Sequence, residues 1–136
     1  MPVSEIMTKD VLTIDLHQPL EEAEKVFKEH KIRHLPVIAY GKLVGILSLT
    51  DISRMKFVID VEHEQHIEDD ETLDTLGIEQ VMRVQPKTIK IGQSVRDVAE
   101  LLSEEEYYAI PIIDSENNLA GIVTTTDLIR FMLEKE

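Results

Sequence analysis

The sequence predicts a mixed α/β (α+β) fold: two copies of one β-α-β-β-α unit, each behind a short helical lead-in, packed about a pseudo-twofold axis. Three observations carry that prediction. The stretch from Ser4 to Met55 is echoed from Glu79 to Met132, with Met7 recurring as Met82, Thr13-Ile14 as Thr88-Ile89 and Pro36 as Pro111, each 75 positions on. One inserted residue then moves the offset to 76, at which Gly45-Ile46 recurs as Gly121-Ile122, Thr50-Asp51 as Thr126-Asp127 and Arg54 as Arg130. These identities fall on turn, breaker and carboxylate positions rather than on random apolar ones, the mark of an internal duplication with a repeated cleft. Short apolar runs in both halves also alternate with stripes at helical spacing. Function is therefore sought where the halves meet.

In the first half, Val3 to Met7 forms the lead-in, and Val11 to Leu16 is an extended segment with alternating apolar positions. Pro19 opens a helix as a first-turn residue, followed by Glu21 and Glu22, where acids suit the positive helix end. Leu20, Ala23, Val26 and Phe27 share one face of that helix. Leu35-Pro36-Val37-Ile38 and Leu43 to Leu47 flank the turn Tyr40-Gly41, which reads as a hairpin of two apolar strands. A proline one residue into a strand implies an edge position or a strand start, because it donates nothing to a ladder. The backbone beside it is then open to a ligand. Thr50 is expected to cap the closing helix, with Asp51 in its first turn.

The second half repeats the series. Ser94 with Asp97 makes a capping box, and Val95, Val98, Ala99, Leu101 and Leu102 form the apolar stripe. Ile110 to Ile113 and Leu119 to Val123 flank Ser115-Glu116-Asn117-Asn118, and Thr126 is expected to cap the last helix ahead of Asp127. The sequence boundaries are a first repeat over residues 1–57, an acidic linker over 58–77 and a second repeat over 78–136.

A chain of 136 residues holds one compact domain or two interlocked halves, and the halves are read as a single folding unit. With 43% hydrophobic and 4% aromatic residues, the core is built from Ile, Leu and Val. The absence of cysteine excludes disulfides and thiolate chemistry and fits a reducing compartment. Met-Pro-Val-Ser-Glu is neither a basic leader nor an apolar run, and no segment approaches the ~20 apolar residues of a membrane helix. A soluble, cytoplasmic protein without membrane contact is expected. Its 27 Asp and Glu outweigh 14 Lys and Arg to give a net charge of -13, which repels nucleic acid over most of the surface. A small anion is held only where cations gather locally.

Between the halves, Asp60, Glu62, Glu64, Glu68, Asp69, Asp70, Glu71 and Asp74 come without a Lys or Arg. Such a run is a solvated connector, with an acidic docking tail as the alternative. His63 and His66 have the spacing of two ligands on one helical turn, but no second cluster completes a metal site and no structural metal is expected.

The segment that carries chemistry is Gly45-Ile-Leu-Ser48-Leu-Thr-Asp51, matched by Gly121-Ile-Val-Thr124-Thr-Thr-Asp127. It sets a hydroxyl at a strand end and a carboxylate three residues later at a helix start. A carboxylate accepts from both hydroxyls of a ribose; Ser48 or Thr124 adds a small donor and acceptor; the helix start offers free amides to phosphate. Together these describe a nucleoside or nucleotide seat. The same residues also suit plain helix caps, since a hydroxyl followed three residues later by an acid is a common capping pattern.

The paired pattern of Met7-Thr8, Thr13-Ile14, Leu35-Pro36-Val37-Ile38 and Gly45 to Asp51, with its second copy, closely resembles a tandem cystathionine-β-synthase (CBS) domain pair, or Bateman module. The resemblance covers nearly the whole chain and implies a stand-alone pair acting in trans or through its own assembly. It implies clefts that bind AMP, ADP, ATP or S-adenosylmethionine as regulatory ligands, with no cofactor required. Asp51 and Asp127 would then hold ribose hydroxyls, Ser48 and Thr124 the ribose or phosphate, and the backbone at Thr13-Ile14 and Thr88-Ile89 the adenine edge. Ile14, Val37, Ile89 and Ile112 would sandwich the ring.

The halves differ in cations. Lys31, Arg33 and His34 precede the first repeated proline, where nucleotide-binding members of the family carry phosphate contacts; Glu104, Glu105, Glu106, Tyr107, Tyr108 and Ala109 precede the second. Unequal occupancy follows, with phosphate contacts from the Arg33 and His34 side, in its own cleft or across the pair. The alternative is that Arg33 pairs with a local acid and His34 packs on a helix. Arg54 and Arg130 stand three residues after the aspartates and are expected to pair with them on a helix turn.

No nucleophile with a base, P-loop or Gly-rich dinucleotide loop is present, which argues against an enzyme. The leading expectation is an energy-sensing regulatory module that responds to an adenine nucleotide and signals through its own or a protein partner's conformation. The alternatives are a ligand-free scaffold or protein-interaction module and an S-adenosylmethionine sensor. A homodimer is expected through Ile52, Met55 and Phe57 with Leu128, Phe131, Met132 and Leu133, because the closing helices carry apolar residues on more than one face.

Overall fold

Aliphatic strands and amphipathic helices assemble here into two small sheets, each with its own core, in a computed structural model that describes residues 1–62, 77–104 and 108–135. The acidic run beyond Glu62, both linker histidines and Tyr107 lie outside the described residues. A 3-10 turn over Val3–Glu5 opens the chain, followed by β1 (Ile14–Asp15), α1 (Leu20–His30), β2 (His34–Ala39), β3 (Lys42–Ser48) and α2 (Leu49–Glu62). The second series runs α3 (Ile78–Val81), β4 (Arg83–Val84), β5 (Ile89–Lys90), α4 (Val95–Leu102), β6 (Ala109–Ile113), β7 (Leu119–Thr124) and α5 (Thr125–Glu134). Each repeat is thus β-α-β-β-α behind a helical lead-in, with β4 as an extra short strand that follows the second lead-in. The expected strand from Val11 to Leu16 is shorter, only Ile14 and Asp15 finding ladder partners.

The chain packs as two compact units whose borders differ from those of the sequence repeats: Leu12–Gln85, and Met1–Val11 together with Pro86–Glu136. The lead-in of the second repeat belongs to the first unit, and the lead-in of the first repeat to the other. In the Asp51 unit (Leu12–Gln85) the sheet order is β1-β2-β3-β4, with β1 parallel to β2 and the other pairs antiparallel. Its core gathers Ile14, Leu20, Ala23, Phe27, Leu35, Val37, Leu47 and Ile52 with Ile78 and Val81 from α3. In the Asp127 unit the order is β5-β6-β7, and Thr8 bridges Ile122 of β7 as Arg83 does Ile46 of β3. Val3 is fully buried there among Ile89, Val98, Leu102, Ile110, Ile112 and Val123.

The repeated glycines follow from this docking. A Cβ at Gly45 would lie 2.5 Å from Met82 Sδ and 2.8 Å from the Arg83 carbonyl, and one at Gly121 would lie 2.6 Å from Met7 Sδ and 2.8 Å from the Thr8 carbonyl. Gly45 and Gly121, with Met7 and Met82, are therefore the sockets and plugs of the lead-ins. The inserted residue lies in the second hairpin turn. The first turn is closed by Tyr40 and Gly41, both at positive φ (51° and 78°), the two-residue geometry that suits the right-handed twist of a hairpin. The second uses Asp114, whose Oδ1 accepts from the amides of Glu116 and Asn118, with Asn117 at φ 66°.

Three sequence expectations are corrected. Strands β2 and β6 are central, not edge strands. Leu49 N donates to Arg33 O, and antiparallel alternation then turns Pro36 N away from β3, toward the flank where β1 has not yet begun pairing. The proline removes a donor only where no ladder needs one. Pro19 is the N-cap rather than a first-turn residue, in extended geometry ahead of Leu20. Finally, Ile52 is 1% exposed and packed in its unit's core, which removes it from any contact surface.

Candidate functional site

Strand β3 runs into α2 with no loop residue between, so its last side chain, Ser48, sits at the helix start. Ser48 Oγ accepts from the Asp51 amide at 3.0 Å. The corresponding Thr124, extended at φ -108°, accepts from the Asp127 amide at 3.2 Å, while Asp127 Oδ2 accepts from Thr124 N at 2.9 Å. The helix caps are thus Ser48 and Thr124. Thr50 and Thr126 fall inside the first turn, because a cap must be the extended residue three positions before the amide it receives. The hydroxyl therefore builds the helix start in both units, joined by the carboxylate in the Asp127 unit. Ordering them in this way also fixes them in space.

Around Asp51 the structure gathers cations. Leu49 N donates to Arg33 O at 2.9 Å, which ties the helix start to the residue ahead of β2, and His34 stands opposite Ser48 in the β2–β3 ladder. Arg83, on β4, places Nε 3.8 Å from Asp51 Oδ2. The Asp51 side chain is 15% exposed and that of Arg83 48%. Asp51 is therefore paired with Arg83 and not, as the helical spacing suggested, with Arg54. Half-buried His34 has its pKa held below the ordinary histidine value by burial first, with Arg33 acting in the same direction and Asp51 opposing. Burial thus disfavours its charged form, beside an acid and a guanidinium.

The Asp127 seat has the same backbone and different side chains. Thr125 N and Oγ1 both donate to Tyr108 O, at 3.0 and 3.3 Å, and Ala109 stands opposite Thr124. Where the first seat has Arg33, His34 and Arg83, this one has Tyr108, Ala109 and Thr8. Tyr108 is 63% exposed.

The remaining candidates lie along the strand starts. Thr13 and Thr88 stand one residue ahead of the first parallel pairs, Ile14 with Val37 and Ile89 with Ile112. Those four aliphatic side chains are buried in the two cores. What these positions offer outward is backbone. Thus the structure brings Arg33, His34, Ser48 and Asp51 together in one unit and Thr124 and Asp127 in the other. It adds Arg83, which the sequence reading passed over. A signal for it exists: Met82 echoes Met7, yet the next residue changes from Thr8 to Arg83. Among the described residues no three His, Asp or Glu side chains gather as a metal site would require.

The CBS domain family model matches residues 3–56 and 78–134. The uncharacterized protein MJ0188 of Methanocaldococcus jannaschii is 30% identical over 98% of this chain and 44% of its own length. This chain spans between 24% and 46% of the first four curated relatives it matches. Among solved structures, the CBS domain pair of protein MJ0100, in complex with 5'-methylthioadenosine and S-adenosyl-L-methionine, superposes with a TM-score of 0.81 at 27% identity. The match covers 100% of this chain and 98% of that one. CBSX2 of Arabidopsis thaliana, in complex with AMP, gives 0.80 over 98% and 97% of the two chains; at 22% identity that likeness speaks to the fold.

Proposed function

This chain belongs to the CBS domain family, and from that premise we propose that it is a regulatory module, not an enzyme, that binds an adenine nucleotide at the Asp51 seat. The observation that carries the reading is the convergence of Ser48, Asp51, Arg33 and His34 at one helix start. Asp51 takes ribose hydroxyls through carboxylate lone pairs, and Ser48 serves the ribose or phosphate. Arg33 and His34 take the phosphate, at the positive end of α2. Backbone at Thr13 and Ile14 reads the adenine edge, over a floor kept rigid by Ile14 and Val37. Thr124 and Asp127, with Thr88, Ile89 and Ile112, repeat the arrangement in the other unit.

A bound nucleotide stabilises whichever conformation holds it better, and the response is limited to its differential affinity for the two states. The protein acts in this reading in the cytoplasm, on its own assembly or on a protein partner in trans. Self-association through the closing helices is supported by the exposure of Phe57 on α2 and of Ile129, Met132 and Leu133 on α5. Sizing with light scattering should give a homodimer at micromolar concentration; a monomer rejects that part.

The reading is tested by calorimetric titration of nucleotide-stripped protein with AMP, ADP, ATP with and without Mg²⁺, and S-adenosylmethionine. Saturable binding that is lost in Asp51→Ala and retained in Asp127→Ala supports it. No heat with any of these ligands would favour a ligand-free interaction module instead.

A further inference from the structure

We propose that Arg83 is the specificity-determining residue of the pair: it makes the Asp51 seat select a phosphorylated adenosine, while the Asp127 seat, with Thr8 in its place, selects an adenosine derivative without phosphate. The inference rests on the reading above and goes further, since it assigns the two seats different ligand classes.

Both lead-ins dock in the same way. Arg83 pairs with Ile46 and Thr8 with Ile122, and the methionine before each packs where a Cβ on Gly45 or Gly121 would have stood. The residue after that methionine is therefore delivered to the same place in each unit, and its side chain alone distinguishes them. In the Asp51 unit it is a guanidinium 3.8 Å from the Asp51 carboxylate, about half exposed. A ribose that takes the carboxylate oxygens engages Asp51 by hydrogen bonds and leaves the guanidinium beside the sugar. A 5'-phosphate on that sugar then meets Arg83 as well as Arg33, two planar donors suited to bidentate contact. A nucleoside without phosphate reaches Asp51 but gains nothing from the guanidinium beside it.

In the Asp127 unit no cation stands at any of the three equivalent positions, which hold Thr8, Tyr108 and Ala109. A phosphate there would lose water and meet none of those cations, beside the Asp127 carboxylate and helix-start amides already engaged by Tyr108 O and Thr124 Oγ1. A neutral or cationic 5'-substituent suits the place better. Asp127 remains for the ribose and the exposed Tyr108 ring for stacking, which needs no charge on the ligand. The overall charge of -13 adds a field that disfavours anions wherever local cations are missing.

The experiment titrates wild type, Arg83→Thr, Arg83→Lys and Thr8→Arg with AMP and with 5'-methylthioadenosine, after thermal melts establish that each variant is folded. Asp51→Ala and Asp127→Ala report which seat is occupied. Arg83→Thr should lower AMP affinity about 10- to 100-fold, the loss expected for a charged hydrogen bond, and leave 5'-methylthioadenosine, bound at Asp127, within about threefold. Arg83→Lys should retain part of the AMP affinity. Thr8→Arg should create a second AMP site that disappears in Thr8→Arg/Asp127→Ala. The proposal is overturned if Arg83→Thr weakens both ligands equally, if AMP binding follows Asp127, or if both ligands compete for one seat. Absence of binding by either ligand to wild type overturns the nucleotide reading itself, a different outcome from a wrong assignment of seats.

Discussion

At the scale of single residues, His34 carries a consequence for pH. Its folded-state pKa lies below its unfolded value of about 6.5, chiefly through burial. Between those two values the unfolded chain binds the extra proton, so stability rises with pH across this window, is fully present above it and is lost as pH falls through it. Chemical denaturation of wild type and His34→Gln from pH 5 to 8 should give midpoints that diverge toward alkaline pH; parallel curves would deny the role. A phosphate beside the imidazole works the other way and favours its charged form. AMP binding should therefore take up a proton and strengthen as pH falls from 7.5 toward 6, which calorimetry in buffers of different ionisation heat detects. Both seats are legible in the sequence because two copies of one pattern mark Ser48, Asp51, Thr124 and Asp127. Arg83 is marked only by the change from Thr8 after the repeated methionine; its contact with Asp51 depends on β4 pairing with β3, which no local spacing encodes. The choice between Ser48 and Thr50 as cap is equally hidden: both are hydroxyls within reach of the helix start, and only the absence of a loop after β3 decides.

At the scale of elements, the decisive contact is that of each lead-in with the strand bearing the repeated glycine. Gly45→Ala or Gly121→Ala forces a methyl against a methionine sulfur that can move and a backbone carbonyl that cannot without breaking strand pairing. Each should cost about 1–3 kcal/mol, the range of overpacked sites, read as a lower denaturation midpoint; an unchanged midpoint would mean the lead-in is loosely held. Pattern alone finds most elements here. The Ser94 capping box appears as expected, with the Asp97 amide 3.2 Å from Ser94 Oγ, as does the Tyr40-Gly41 hairpin. The shortness of β1 and β5 is beyond reach, because an alternating run says how a segment would pair but not whether a neighbour extends far enough to pair with it. Proline reads ambiguously for the same reason: Pro36 looks like an edge residue until the missing β1 partner explains how a central strand accepts it.

At the scale of the whole molecule, the duplication is plain in the sequence while the composition of the units is not. Ile78 belongs to the second repeat by sequence, yet it is fully buried in the core built on the first repeat's strands. Ile78→Ala should cost about 2–5 kcal/mol and, by hydrogen exchange, loosen β2 and β3 while sparing β6; preferential loosening of β6 would refute the division into units. Periodicity cannot reveal this, since an apolar lead-in looks the same whichever sheet it docks on. The crossed lead-ins also bear on ancestry. A gene encoding one repeat alone would produce a sheet lacking its plug and a plug lacking its socket, and two such molecules would complete each other by trading their first residues. The present chain is in that sense an exchanged dimer made permanent by a peptide bond, and severing it within its acidic connector should leave two fragments that must find each other again in order to fold.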